Sequence, residues 1–397
     1  MIKKRDQEWF DKLHERNSKA SEVFMLPEYT NVFRGVIDKY SDSAHFIYEL
    51  LQNADDAGAT SVSMELQPDK FIFTHNGLER FSISDPDKIE EDRRIGQLGH
   101  LNSICYIGYS SKSGSDIKVV KDAKIGKFGV GFKAVFQYTS APEIYDNPFC
   151  FKIENYIVPT LIDGTKYQKR GKTVFVIPFD RKDIRPETAF REIYQKLKEL
   201  KTPQLFLNNV REVTWNTPTD NNKRIRKKLE ISGQSHNVEY GLYSLNSDIE
   251  KKKRILLLSR KVKVLNQGWH DIMIGYYIEN GKILTNTRQN IHCFFPTTES
   301  VGTCYVIHAP FALVDNRQQI KRNNEINEFL FGEIAKLAAD SLLILRDWGV
   351  RDKSVLLSDN IVDLIRYDID LFDKSFSGQE IKETFRRNYK CIFTTVH

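Results

Sequence analysis

Acidic and amide side chains form a stripe in a short segment between residues 44 and 57. Glu49, Asn53 and Asp56 are spaced at i, i+4 and i+7, which places them on one face of a helix whose opposite face is apolar. A carboxylate beside an amide oxygen suits metal-assisted hydrolysis, because Mg²⁺ prefers oxygen ligands and keeps most of its waters. We therefore predict that Asn53 is a magnesium ligand and that Glu49 aligns and deprotonates the attacking water.

An ordinary surface helix with a solvated polar face is the alternative interpretation of this segment. Two features count against it. Asn53, Asp55 and Asp56 are poor helix formers, yet they crowd the last turn before Gly58. Acids at a helix C-terminus also meet the unfavourable end of the helix dipole. A bound cation would offset both costs.

Glycines follow in a second segment that could approach a phosphate. Gly126, Gly129 and Gly131 are spaced at i, i+3 and i+5, and Phe132 is predicted to open a helix whose N-terminus would face an anion. This is not the order of a P-loop. The preceding stretch from Ser110 to Ser115 is either a plain polar loop or a lid that supplies hydroxyls and a lysine.

The order of these segments along the chain resembles that of the GHKL ATPases, nearest to their heat-shock-chaperone and sacsin-like groups. The resemblance covers about residues 25–180. The motifs that carry it are Glu-x-x-x-Asn-Ala-x-Asp-Ala from Glu49, Asn76-Gly77, Ser-Ser-Lys-Ser-Gly from Ser110, Ile-Gly-Lys-Phe-Gly-Val-Gly-Phe from Ile125, and Gly171-Lys-Thr173 before a strand.

The resemblance implies a role for each matching position, with ATP and Mg²⁺ as cofactors. Glu49 would be the general base, Asn53 the magnesium ligand, and Lys112 part of the lid over the nucleotide. A transducer domain would send Arg317, or alternatively Lys321, to the γ-phosphate. The remaining positions expected around ATP are Asp56, Ala57, His75, Asn76, Gly77, Ser111, Gly126, Lys127, Phe128, Gly129, Val130, Gly131, Phe132 and Thr173.

His75 departs from the family pattern, which has an aspartate at this position to accept a hydrogen bond from the adenine amino group. A neutral imidazole can accept one hydrogen bond, but it is bulkier and uncharged. The second glycine of the motif is also missing, because Leu78-Glu79-Arg80 follows Gly77. We therefore expect the adenine end of the site to be altered, unless His75 is a packed structural histidine.

The predicted fold class is α+β, built as a GHKL ATP-binding α/β sandwich with helices over a mixed, mostly antiparallel sheet, followed by a smaller α/β transducer-like domain. The 397 residues are enough for two or three domains. We expect the ATP-binding domain at 1–190, the transducer at 191–347, and the start of a further region, possibly truncated, at 348–397.

Composition limits the partners. Five scattered cysteines indicate reduced thiols in a cytoplasmic protein, and no apolar run of membrane-spanning length is present. A net charge of +6 permits a polyanionic partner, but the basic runs 223–228 and 251–254 are interpreted as solvated loop edges, so nucleic acid is not favoured.

The leading hypothesis is a slow ATPase that uses lid closure and homodimerisation as a switch, chaperone-like with a protein client or as the motor of a larger protein. The lid around residues 96–124 is rich in glycine and can move at little cost. Two alternatives stay open. One is a nucleotide-gated binding module with little turnover, and the other is a MutL-like or gyrase-like clamp associated with DNA.

Overall fold

The computed structural model describes residues 2–26, 46–106, 131–221, 223–248, 252–265, 268–285, 287–300, 303–314, 318–351 and 364. The chain divides into two compact units, and the division falls after Ile225. Helices and mixed, mostly antiparallel strands occur in both units, which confirms the predicted α+β class.

The first unit combines helices with a mixed sheet. Its helices are α1 (Lys4–Phe24), α2 (Phe46–Asp56), α3 (Ile89–Arg94), α4 (His100–Ile104) and α5 (Pro186–Glu199), with 3₁₀ helices at Pro86–Lys88 and Gly131–Gln137. Its strands are β1 (Ser61–Gln67), β2 (Lys70–His75), β3 (Glu143–Tyr145), β4 (Cys150–Glu154), β5 (Val158–Leu161), β6 (Thr173–Pro178) and β7 (Glu212–Asn216).

Strands β2 and β6 lie side by side at the centre of this sheet. The strand order is β7-β1-β2-β6-β3-β4-β5, and only β1 and β7 run parallel among these neighbours. His75 pairs with Thr173 at the end of the β2–β6 ladder. Because directly paired residues project to the same face of a sheet, these two predicted site residues become neighbours.

Helix α2 packs on that sheet through aromatic contacts. Phe46 meets Phe71 of β2 edge to face, with ring centroids 5.5 Å apart. The helix stops where the sequence predicts, because Gly58 adopts a positive φ of 73° and its N–H bonds the carbonyl of Asp55 at 2.9 Å. Leu50, Leu51 and Ala54 are fully or almost fully buried.

The second unit combines a mostly antiparallel sheet, which includes one parallel pair of strands, with a long helix. Its strands are β8 (Lys223–Ser235, of which residues 223–225 belong to the first unit), β9 (Val238–Ser247), β10 (Lys253–Val264), β11 (Gly268–Glu279), β12 (Lys282–Ile283), β13 (Ile291–Cys293), β14 (Phe295–Pro296) and β15 (Val306–His308), and its long helix is α6 (Glu325–Arg351). The order is β8-β9-β10-β11-β15-β13-β14, with β12 beside β11. Helix α6 packs against β10 and β11, where the hydroxyls of Tyr276 and Ser341 lie 2.7 Å apart.

The first basic run does not form the predicted loop edge. Residues 223–228 open strand β8, where Ile225 is buried and the ammonium of Lys227 lies 5.3 Å from the centre of the Tyr243 ring. Alternation of inward and outward side chains explains the difference, because a strand can expose every second lysine or arginine to solvent. Lys253 and Arg254 of the second run likewise belong to β10.

The three domains predicted at 1–190, 191–347 and 348–397 remain predictions. The boundary expected near residue 190 lies inside α5, which packs on β1 within the first unit. Most of the region 348–397 lies outside the described residues. No helix within the described ranges is long and apolar enough to span a membrane.

Candidate functional site

The polar stripe of α2 is buried, contrary to the surface-helix alternative. Every residue from Phe46 to Asp55 is buried, and Glu49 and Asn53 each expose only 7% of their surface. Ionised side chains are seldom buried unless something pairs with them. The stripe therefore lines an interior surface of the first unit.

Glu49 lies directly against Gly131, the first residue of a 3₁₀ helix. A Cβ built on Gly131 would lie 2.9 Å from Cγ of Glu49 and would overlap its carboxylate. Only glycine leaves room for this approach. Two predicted site residues, 82 positions apart in the chain, are thus in contact. The 3₁₀ helix that ends the glycine-rich segment therefore begins beside the Glu49 carboxylate.

Asn53 lies one helical turn after Glu49 on the same stripe. Its amide is buried, and within the described part of the chain no residue hydrogen-bonds this side chain. An amide oxygen in this position can serve as a ligand for a hard cation. The described residues contain no cluster of three or more His, Cys, Asp or Glu side chains able to hold a metal. A magnesium ion here would therefore depend on Asn53 together with oxygens of its own ligand.

Asp55 is buried for a structural reason. Its carboxylate accepts hydrogen bonds from the backbone N–H groups of Asn208, Asn209 and Val210 at 2.9, 2.6 and 2.8 Å. These bonds join the last turn of α2 to the loop before β7. Its neighbour Asp56, the residue predicted to contact the nucleotide, is half-buried and projects from a different side of the helix.

The turn after β2 packs on the end of α2. A Cβ on Gly77 would lie 2.8 Å from both the carbonyl oxygen and the Cβ of Ala57, so a side chain here would clash. The N–H of Leu78 donates to that same carbonyl at 2.8 Å. Ala57 and Gly77, predicted separately, thus meet through their main chains.

His75 is a buried, neutral ring. It stacks on Phe175 with centroids 6.1 Å apart and planes 25° from parallel, and burial lowers its pKa to about 3, with Arg80 adding a smaller effect in the same direction. Its Nδ1 accepts the N–H of Gly77 at 3.1 Å. In a neutral imidazole the proton then resides on Nε2, so the one acceptor that the sequence offered is already occupied by the turn.

Arg80 forms an ion pair with the buried Asp146 beside Thr173. Nη1 of Arg80 donates to Asp146 Oδ1 at 3.0 Å and to Thr173 Oγ1 at 3.1 Å, and Nη2 donates to the carbonyl of Gly77 at 2.8 Å. Asp146 has no exposed surface and also accepts the N–H of Phe81 at 2.7 Å. The Thr173 hydroxyl donates to Asp146 Oδ1 at 3.3 Å. The threonine predicted to help bind adenine is therefore held by two charged groups.

Sequence reasoning did not single out Arg80 or Asp146. The sequence contained one signal for Arg80. The GHKL motif that it resembles has a second glycine after Gly77, and this chain has Leu78-Glu79-Arg80 instead. A basic residue that follows a buried turn needs an acceptor nearby. Nothing local identifies Asp146 as that acceptor, because it lies 66 positions further along the chain.

Two other predicted site residues use their side chains within the fold. Asn76 accepts the N–H groups of Thr60 and Ser61, each at 2.9 Å, and its amide donates to the Thr60 hydroxyl at 2.9 Å. Phe132 exposes 2% of its surface and packs on Phe175 with centroids 5.9 Å apart. Both side chains therefore contact other parts of the first unit.

Several predicted residues lie outside the described part of the chain. They are Ser111, Lys112, Gly126, Lys127, Phe128, Gly129, Val130 and Arg317. Lys321, the alternative to Arg317, belongs to the second unit, where its side chain is exposed and its N–H donates to the carbonyl of Ala312 at 2.8 Å.

Comparison with known proteins defines the class to which the site-bearing segment is similar. The Sacsin domain matches residues 27–153, a segment that includes Glu49, Asn53, His75 and Gly131 but ends before Thr173. This part of the chain is therefore sacsin-like.

Two known proteins are similar to this chain. Protein NO VEIN of Arabidopsis thaliana is 25% identical over 334 residues, which are 76% of this chain and 11% of that protein. Sacsin of Homo sapiens is 28% identical over 127 residues, 30% of this chain and 2% of its own length. The chain thus spans a small part of both relatives. Among solved structures, the N-terminal domain of a DNA repair protein aligns with 75% of this chain and 94% of its own, at a TM-score of 0.41 and 14% identity.

Proposed function

We propose that the first unit binds the magnesium complex of a nucleoside triphosphate and slowly hydrolyses its terminal phosphate, with ATP as the nucleotide that the GHKL resemblance implies. The contact between the Glu49 carboxylate and Gly131 is the observation that carries the proposal. It brings an acid and the backbone after a glycine-rich segment together on an interior surface.

Asn53 supports the metal half of this proposal. Its amide has no protein hydrogen-bond partner among the described residues, so its oxygen is available to a ligand. Mg²⁺, when bound, would neutralise charge on the phosphate oxygens and bring most of its coordination shell with it.

Glu49 supports the hydrolytic half. Its carboxylate is carried by a helix in which every residue from Phe46 to Asp55 is buried. One turn separates it from Asn53, which puts a proton acceptor next to the predicted metal ligand. In this proposal Glu49 accepts a proton from the water that attacks the terminal phosphorus.

Substitution of Glu49 by glutamine tests the assignment. Phosphate release should fall by about 10²–10⁴-fold, the usual contribution of a general base, while affinity for Mg·nucleotide stays within a few-fold. Glu65→Gln is the control, because Glu65 is an exposed acid on β1 of the same unit, and it should hydrolyse at the wild-type rate. Unchanged turnover in Glu49→Gln would remove Glu49 as the base.

A nucleotide-gated module with little turnover is the second candidate, and the altered end of the site at His75 and Arg80 favours it. Tight binding without Glu49-dependent phosphate release would support that candidate over the ATPase.

We also propose that nucleotide drives homodimerisation. Sedimentation mass with and without a non-hydrolysable triphosphate analogue measures it, and an unchanged mass would exclude nucleotide-driven pairing.

A further inference from the structure

The end of the site that holds His75 offers a hydrogen-bond donor to a ligand. The Gly77 N–H occupies Nδ1, and burial keeps the ring neutral, so Nε2 carries the proton. Within the described residues no group accepts a hydrogen bond from Nε2. An aspartate at this position would do the reverse, since an ionised carboxylate only accepts.

Arg80 adds further donors at the same end. A guanidinium has five N–H bonds, and three of them are used by Asp146, Thr173 and the carbonyl of Gly77. The other two have no acceptor among the residues that the structure describes. The Arg80 side chain is 28% exposed, so they can reach a ligand.

Asp146 supplies the carboxylate that His75, Arg80 and Thr173 have beside them in the described structure, and this carboxylate is not accessible to a ligand. Asp146 is completely buried and already accepts hydrogen bonds from Arg80, the Phe81 N–H and Thr173. The Thr173 hydroxyl proton is directed to Asp146. Cation and imidazole donors therefore dominate the surface that would meet the base edge of a nucleotide.

A purine base carries either a donor or an acceptor at C6. Adenine presents an amino group there, whereas guanine and hypoxanthine present a carbonyl, and arginine pairs well with O6 and N7 of such a base. Resting on the proposed function, we propose that this site selects a 6-oxopurine nucleoside triphosphate over ATP, with His75 and Arg80 as the residues that read the carbonyl.

Binding of ITP, GTP and ATP to the whole chain in Mg²⁺, measured by calorimetry, tests the proposal. ITP and ATP differ at C6 and in the N1 protonation that accompanies it. ITP should bind about tenfold more tightly than ATP, and GTP should resemble ITP. ATP binding as tightly as ITP would overturn the inference and leave the proposed function intact. Failure of all three to bind would instead overturn the proposed function.

Variants at the two reading residues make the test specific. His75→Asp should reverse the preference, because a carboxylate accepts the amino group of adenine and repels a carbonyl. His308→Asn is the matched control, since His308 is also a buried neutral ring whose Nδ1 accepts a backbone N–H, that of Phe294 at 3.1 Å. The control should leave the ITP-to-ATP ratio unchanged.

Arg80→Lys provides a second route if His75→Asp does not fold. It keeps a positive charge beside Asp146 but loses the planar fork that pairs with O6 and N7. We expect the ITP-to-ATP ratio to fall severalfold while ATP affinity changes little. A ratio equal to wild type in this variant would show that Arg80 does not read the base and would overturn its assignment.

Discussion

At the scale of single residues, Gly131 has little freedom to vary. A methyl group on its Cα would overlap the Glu49 carboxylate, and the buried helix α2 cannot retreat without disturbing its packing on β2. Overpacking of this kind costs about 1–3 kcal/mol. The same overlap would displace the group that we propose as the base.

Gly131→Ala should therefore lower the free energy of unfolding by about 1–3 kcal/mol and reduce phosphate release together with it. Urea denaturation and a phosphate assay measure the two effects. Gly332→Ala in α6 is the control, because a Cβ there meets nothing within 4 Å, and alanine should stabilise that helix by up to about 1 kcal/mol. Equal stability of Gly131→Ala and wild type would contradict the contact.

At the scale of secondary-structure elements, α2 is held at both ends by different means. Aromatic packing on β2 holds its first turn, and the Asp55 carboxylate holds its last turn to the loop 208–210. A charged acceptor that serves three backbone donors makes stronger hydrogen bonds than a neutral one. The position of Glu49 and Asn53 therefore depends on a residue that does not face the site.

Asp55→Ala should destabilise the first unit by about 3–5 kcal/mol, because it leaves three backbone N–H groups without their acceptor. Chemical denaturation measures this loss. Asp69→Ala serves as the comparison, since Asp69 makes an exposed ion pair with Lys70 at 2.9 Å, and such pairs contribute at most about 1 kcal/mol. If both substitutions cost the same, the three hydrogen bonds do not hold the helix.

At the scale of the whole molecule, buried histidines couple stability to pH. Burial is the main cause that lowers the pKa of both His75 and His308 to about 3. An unfolded histidine titrates near 6.5, so unfolding takes up protons below that pH. Stability is therefore complete above about pH 6.5 and falls as the pH drops toward 4, by up to about 1.4 kcal/mol per pH unit for each ring.

Urea midpoints at pH 7.5, 6.0 and 5.0 measure this dependence. His308→Gln should be less stable than wild type at pH 7.5, yet its stability should fall less steeply on acidification, because one of the rings that take up protons is gone. Parallel pH profiles for the two proteins would mean that His308 binds protons equally in the folded and unfolded states, which would contradict a lowered pKa in the folded state.

Local patterns in the sequence were enough to place the elements that carry the site. The apolar face of 44–57 and the stop at Gly58 predict α2 to within two residues, and the strand expected after Gly171-Lys-Thr173 is β6, which begins at Thr173. Such elements can be predicted locally, because a helix and a strand each bury side chains at their own spacing. The sequence did not predict β8, because most of its side chains are exposed and many are charged, so few buried positions mark it as a strand.

What the sequence determined by itself is therefore the set of elements and the chemical types available to them. They include an acid and an amide one turn apart, glycines at the points of close approach, and a histidine where the GHKL pattern that the sequence resembles has an aspartate. Tertiary structure decided how those groups are used. Only the fold assigns Asp55 to the loop 208–210, pairs Arg80 with Asp146, and gives the acceptor nitrogen of His75 to Gly77. The reason is physical, since hydrogen-bond partners far apart in the chain leave no local periodicity, and burial makes each of those pairings obligatory.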